Sequence, residues 1–475
     1  MGVPQYDKND MESLQSQLIK MIKQRAHIVW SSDLSDINKV TACNLFINSG
    51  IEYFFWTLKF NIDTLKEFDT TMRNVMNTAA AKHTNLMNSI LYLPRGKGGR
   101  GMRSLERSYK EIKIKTALKI YKNNDKRMKI VREFHKINVE KSSYSIIKES
   151  MKYAVNCDIN LTVTGDQCTI KFVDTKGDTQ ETDKMNILTQ EIARKRNHQY
   201  QLEICNSSWQ GVNYANRQND KNIIKDYFSW IKNWSTCPTS TIAEYFLMFY
   251  QLLATKCFLL TRSTMPITDI KCRICDSREE SVKHLLSNCS ILVMSTYKAR
   301  HDNALKCFIF PMLHDFGLIK KIPPWYSNKK VDPYMENEYT KFWWDIPEYN
   351  GKENEDDSRT LRPDGKIMVN RNGDKYIMII EITIPWMENR EEKYKYKQDK
   401  YKDILSNIKL ENPGYTVDQV TLVMDVFGGY GPDLRENIGK ILKCRSTQDD
   451  VIKNMQKCVI SSLCNISRVF KIRTK

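Results

Sequence analysis

The chain has 475 residues, 41% of them hydrophobic, and carries a formal charge of +18 with an isoelectric point near 9.2. That length exceeds what one core usually covers, so three or four units are expected, and the apolar fraction excludes a wholly disordered chain. The excess of Lys and Arg favours a polyanionic partner, nucleic acid ahead of an anionic membrane surface, and thirteen cysteines without an apolar leader in MGVPQYDKNDMESLQ point to reduced thiols of the cytosol or nucleus.

From Met11 to about Glu140 the apolar spacing is helical, interrupted by the glycine cluster LPRGKGGRGMRS at Leu93 to Ser104. Between Arg95 and Arg132 fourteen Lys or Arg face three acids, with Leu105, Tyr109 and Ile112 forming an apolar stripe at helical spacing. A charge run alone is usually a solvated helix face. Gly96, Gly98, Gly99 and Gly101 would let backbone approach phosphates, which makes Arg95, Lys97, Arg100 and Arg103 candidate nucleic-acid contacts. No G-K-[ST] follows, so this is not a P-loop.

Residues 141 to 230 carry no legible chemistry. Ile159 to Val173 reads as a hairpin through Thr164-Gly165-Asp166, and Asn219 to Trp234 as a helix. After the STCPTS connector, Ile242 to Leu260 is a long apolar stretch. Glu244, Gln251 and Lys256 within it, and a capping box of Thr241 and Glu244, predict one buried helix rather than a membrane span.

CRICDSREESVKHLLSNC follows, with the spacing C-x2-C-x8-H-x4-C through Cys272, Cys275, His284 and Cys289. A C-x2-C turn brings two thiolates together, and His284 with Cys289 can close a zinc tetrahedron of structural type. Free cysteines beside a core histidine are the bland alternative, which four ligands in so short a polar span make the weaker one.

The densest chemistry lies in RPDGKIMVNRNGDKYIMIIEITIPWMENREEKYKYKQDKYKDIL, which starts at Arg362. IMV and YIMIIEITI read as strands joined by Asn372-Gly373, a strong hairpin signal. Alternation puts Ile377, Ile379, Glu381 and Thr383 on one face, so Glu381 interrupts an apolar strand, a costly choice unless it is paired or metal-bound. Asp364 stands at the mouth of the preceding strand, and the two carboxylates make an oxygen site suited to Mg²⁺. Pro385 ends the strand, and a helix is predicted from about Glu388 to Lys409. Tyr394, Lys397, Tyr401, Ile404 and Ile408 share its inner face, with Lys400 at the flank. A lysine beside a carboxylate pair can orient water or stabilise phosphate charge; snorkelling surface lysines are the alternative, and explain Lys393, Lys395 and Lys402.

A Pro-Asp, a second acid on the next strand and a lysine resemble the PD-(D/E)xK nucleases. Thr383 stands where their lysine usually lies, two residues beyond the second acid. That departure is similar to one branch, the restriction-like endonuclease domain of site-specific non-LTR retrotransposon proteins, whose K-x-x-K-Y motif on the following helix is matched by Lys397, Lys400 and Tyr401. The family's Arg-His-Asp motif after a CCHC knuckle is matched by Arg300, His301 and Asp302. YFFWTLKFNIDTLKEFDTTMR and YLPRGKGGRGMRSLERSY look like the end of a reverse transcriptase domain and its thumb.

The resemblance covers nearly the whole chain. It implies an α+β multidomain protein: a mostly helical N-terminal half with a thumb-like region (1–140) and linker (141–265), a small zinc knuckle (266–295), and a C-terminal α/β restriction-endonuclease-like domain with a mixed sheet (296–475). It further implies a Mg²⁺-dependent DNA endonuclease that nicks a target to prime reverse transcription, with Asp364, Glu381, Lys397, Lys400 and Tyr401 catalytic and Arg300 and His301 on the DNA. DNA and the element's RNA are the implied partners, with no membrane, in the nucleus and, during particle assembly, the cytoplasm. No Tyr/Phe-Ala-Asp-Asp motif is present, so polymerase activity is not expected of this chain, and the palm and any DNA-binding region are expected to lie outside it. Two other readings stay open: a non-catalytic nucleic-acid-binding remnant, and a structure-specific nuclease of the same fold.

Overall fold

A computed structural model describes residues 8–262, 269–348, 361–371 and 373–474. The chain forms two compact units, Met1–Gly211 with Ile231–Ala243, and Val212–Trp230 with Glu244–Lys475. The segment 141–265, read above as one linker, contributes to both.

The first unit is built on helices. α1 (Lys8–Ser31) buries Leu14, Leu18, Ile22, Ala26 and Trp30 at steps of four. α2 (Asp36–Ala42) runs through a π-helical turn (Cys43–Asn48) into α3 (Ser49–Phe55). α4 (Ile62–Thr78) packs on α1 and supplies Asp69, whose carboxylate accepts from Ser104 Oγ (2.6 Å) and Leu105 N (2.8 Å). Together with the Ser104 cap, this fixes the start of α6 (Leu105–Lys122), which follows the short α5 (Asn88–Tyr92). Leu105, Tyr109 and Ile112 are buried, as their spacing predicts. α7 (Lys126–Glu140), α8 (Ile146–Val155) and α9 (Met185–Cys205) complete the helices. The expected hairpin is present as β1 (Asn160–Thr164) and β2 (Gln167–Val173), antiparallel, turning at Gly165 with φ of +61°. A third strand, β3 (Thr179–Thr182), extends it.

The glycine cluster departs from expectation. Arg95 and Arg100 are buried and converge on Asp36, which is fully buried: Arg95 Nη1 reaches Oδ2 at 2.7 Å, and Arg100 Nε reaches Oδ1 at 3.1 Å. Arg95 Nε also donates to the Ile231 carbonyl (2.8 Å), and the Arg100 guanidinium lies over the Trp30 ring. A Cβ on Gly99 would lie 2.0 Å from the Leu93 carbonyl oxygen, so this glycine serves close packing of the loop on itself. Arg103 bonds Glu52 and the Asn44 carbonyl. Of the four basic residues read as nucleic-acid contacts, Arg95 and Arg100 are therefore internal ties, Arg103 is ion-paired, and Lys97 stays at the surface, 3.4 Å from Gln201 Oε1. An Asp36→Ala substitution strands two buried guanidinium groups and is expected to cost about 3–5 kcal/mol, measured by urea unfolding of the first unit's helical signal.

The second unit contains α10 (Val212–Asn219), and α11 (Ser229–Asn233) spans a boundary between units. The helix expected from Asn219 to Trp234 is absent over most of that range. Asp220 Oδ1 accepts from Asn222 N (2.9 Å), and Ile224 N donates to the Tyr430 carbonyl (3.1 Å), so backbone pairing goes outside a helix. The apolar stretch is two helices, α12 (Thr239–Phe249) and α13 (Lys256–Arg262), separated at Gln251 with φ of +55°. The first of them starts at Thr239, two residues ahead of the expected cap Thr241, and Glu244 bonds Ser467 (2.6 Å) and Lys471. No helix among the described residues is long and apolar enough to cross a membrane.

Beyond α14 (Val282–Ser287), α15 (Ser290–Leu292) and α16 (Lys298–Asp315), a five-stranded mixed sheet runs β4 (Tyr334–Glu336), β5 (Thr340–Trp344), β6 (Gly365–Arg371), β7 (Asp374–Thr383), β8 (Thr416–Val423) in spatial order. Neighbours are antiparallel except β7 and β8. The predicted β6–β7 hairpin holds, with Gly373 at φ of +90°; Asn372 lies outside the described residues. Parallel β7 and β8 need a crossover, made by α17 (Arg390–Lys400) and α18 (Lys402–Glu411). These are two helices where one was expected, broken at Tyr401. They cover one sheet face, where Tyr401, Ile404 and Ile408 meet Ile377 and Ile379. The other face packs Ile367, Ile380 and Leu422 against α16, α19 (Pro432–Ile441) and α20 (Arg445–Arg473). The protein is thus α+β, with a mixed sheet.

Candidate metal centre and carboxylate site

Cys272, Cys275, His284 and Cys289 come together, their ligand atoms all within 4.8 Å of one another. The local sequence explains the convergence. Cys272 N donates to the Arg278 carbonyl (2.7 Å) and Asp276 N to the Cys272 carbonyl (2.8 Å), closing the C-x2-C turn, with Asp276 in the left-handed region. Ser281 caps α14 by accepting from His284 N (3.1 Å), which turns the imidazole inward so that Nε2 lies 3.2 Å from Cys275 Sγ. Tyr297, which no sequence signal singled out, bonds Cys289 N and the Leu285 carbonyl through its hydroxyl and pins the last ligand to α14. Burial opposes ionisation of Cys275, but Ser277 and His284 outweigh it and bring its thiol down to about 6; burial pushes Cys289 up to about 12. Three cysteines and one histidine in this geometry are the donor set of a structural zinc site, and the cluster can hold such a metal.

The second site follows from strand register. Gly365 pairs with Ile380, so the next step of the antiparallel ladder sets Asp364 across from Glu381 on the same face. Asp364 Oδ2 accepts from Ile382 N (2.8 Å), which fixes its carboxylate against β7. Glu381 is fully buried, and Lys397 Nζ on α17 reaches its Oε2 at 2.5 Å. Its other oxygen, Oε1, is buried with no hydrogen-bond partner. A buried orphan carboxylate oxygen is expensive, and a proton or a hard divalent cation would satisfy it. Burial and the facing Asp364 raise the Glu381 pKa against the pull of Lys397. Asp364 moves the other way: burial opposes its charge, but His301, Lys397 and the Ile382 amide hold it below the usual range.

Lys397 and Lys400 are told apart here. Burial works against the Lys397 charge, yet Glu381 and Asp364 outweigh it and raise its pKa. Lys400 is lowered, by burial and then by Lys397, and its Nζ lies 2.9 Å from the Tyr401 hydroxyl. Tyr401 is fully buried, donates to the Arg362 carbonyl (3.1 Å) and so braces the Pro-Asp turn, and its hydroxyl also neighbours the Glu381 carboxylate. Arg300 also departs from expectation: it is buried, with Nη1 on the Leu286 carbonyl (2.9 Å) and its guanidinium over Tyr297, so it ties α16 to α14. His301, one position on, joins the carboxylates, with Nδ1 3.0 Å from Asp302 and Nε2 3.1 Å from Asp364. Burial disfavours its charge, but the two acceptors prevail and raise it to about 10.

No protein-family model matches the chain, and no curated protein matches it.

Purified protein is expected to carry one zinc per chain. Cys272→Ser or Cys289→Ser, or a strong chelator, should release the metal and lower the thermal midpoint of the second unit, read by metal analysis and calorimetry. His301 gives a pH signature. Its folded value lies above its ordinary 6.5, so its contribution to stability is complete below that and is lost as pH rises through about 10. Without added divalent cation, the stability gap between wild type and His301→Gln should be widest near pH 6 and close above pH 10 in denaturant melts.

Proposed function

We propose that the second unit is a Mg²⁺-dependent DNA endonuclease of the restriction-like type, and that the chain is the C-terminal part of a site-specific non-LTR retrotransposon protein. The observation that carries the reading is the constellation of Asp364, Glu381 and Lys397 at the mouth of a β-hairpin, with one carboxylate oxygen of Glu381 left without a partner. The order of motifs along the chain supports the family assignment, from the thumb-like segment through the Cys/His cluster to the Pro-Asp, the acid and K-x-x-K-Y.

Asp364 and Glu381 would hold Mg²⁺, which when bound supplies Lewis acidity toward a phosphodiester and lowers the pKa of water. The protein groups do the rest. Lys397 orients the attacking water and stabilises negative charge as it builds on the phosphate, the role its reach to Glu381 fits better than the reach of Lys400. His301, held by Asp302, keeps the Asp364 carboxylate in place. In the family setting, a nick in target DNA leaves a 3′-hydroxyl that primes reverse transcription of the element's RNA, in the nucleus. The Cys/His cluster, as a zinc knuckle, and the basic first unit would bind DNA or RNA mainly through phosphate, hence with steep salt dependence.

The test is nicking of supercoiled plasmid in Mg²⁺. Wild type is expected to nick, and the Asp364→Ala, Glu381→Ala double variant is expected to be inert. Lys397→Ala should lose about 10²–10³-fold in rate, and Lys400→Ala about tenfold or less. Binding without nicking by folded, zinc-loaded wild type, on plasmid and on target-like DNA, would instead favour a non-catalytic nucleic-acid-binding protein.

A further inference from the structure

α7 of the first unit presents an uncovered apolar stripe. Ile130, Phe134 and Ile137 lie at steps of four and three on one face and are 70%, 58% and 45% exposed. The opposite face does the packing: Arg132 and His135 are buried, and Arg132 Nη1 bonds the Ile120 and Asn123 carbonyls at 2.9 Å. Three large apolar side chains in a row on a solvent-facing helix stand out against the scattered exposed apolar residues normal for a protein surface.

The charges beside the stripe narrow the occupant. One flank reads Lys126, Lys129, Glu133, Lys136, Glu140, and Glu133 pairs with Lys136 at 3.0 Å. Lys126 and Glu140, at opposite ends, enter no ion pair among the described residues. A two-fold axis through Glu133 running α7 antiparallel to a copy of itself brings each Lys126 level with the other chain's Glu140. In the same register each Ile130 falls between the Phe134 and Ile137 of the other copy. Under that rotation the apolar stripe meets itself and the end charges pair, while each Glu133 on the axis is neutralised by its own Lys136, which meets the condition for a closed dimer.

We propose that α7 is a self-association surface on which a second copy of this chain docks antiparallel through Ile130, Phe134 and Ile137, with Lys126 and Glu140 setting the register. A single helix pair buries less than the roughly 800 Å² per partner of a standard interface, so the dimer is weak, with a dissociation constant on the order of 10–100 µM. The inference is independent of the nuclease reading.

Sedimentation equilibrium of the full chain over about 5–200 µM tests it. The expected result is a mass rising toward twice the monomer in wild type and a constant monomer mass in Phe134→Glu. That substitution lies on an exposed side chain, and unchanged circular dichroism confirms the fold. Lys126→Glu and Glu140→Lys should each weaken association about tenfold, and the two together should restore it. A monomer at every concentration overturns the proposal and leaves the stripe to a segment of another protein. Dimerisation that Phe134→Glu leaves untouched overturns it as well, as does failure of the charge swap to rescue.

Discussion

The register of one β-hairpin governs the second unit. Pairing Gly365 with Ile380 sets Asp364 across from Glu381, and a slip of one residue would send Glu381 to the opposite face. β7 also pairs in parallel with β8, and a parallel neighbour cannot be reached by a tight turn. The chain must cross over the sheet, and it does so on the face that carries Glu381. The same ladder that juxtaposes the acids therefore obliges a helix to pass above them, and that helix delivers Lys397.

The molecule handles buried charge in two ways. Around Asp36 the account is closed: both carboxylate oxygens meet guanidinium groups. Arg217 and Asp425 form a similar bidentate pair in the second unit, where Asp425 Oδ1 also accepts from the amides of Phe427 and Gly429. Such networks hold a fold, and neither carboxylate has a buried orphan oxygen left for a cation. Glu381 differs because it is equally buried yet satisfied on one oxygen only. Among these three fully buried carboxylates, an orphan oxygen separates Glu381 from the ion-paired Asp36 and Asp425.

That distinction was partly legible in the sequence. Alternation identified the Glu381 face, and Ile377 and Ile379 do pack with Tyr401, Ile404 and Ile408, because periods of two and 3.6 are local properties. The ligand spacing of the Cys/His cluster is local too. Arg95 and Arg100 were misread because their partner lies 59 and 64 positions away, and an inward arginine in a glycine-rich run is spelled like an outward one. Arg300 and His301 are adjacent, but successive helical residues point about 100° apart, and only the packing of α16 tells which one meets the carboxylates. The breaks at Gln251 and Tyr401 fall inside sequences that suit a continuous helix, and tertiary contacts override that preference.

One turn of α16 carries two attachments. Arg300 holds the carbonyl of Leu286 in α14, the helix that bears His284, and His301 holds Asp364. The metal-ligand cluster and the carboxylate pair thus share one turn of helix as a common support.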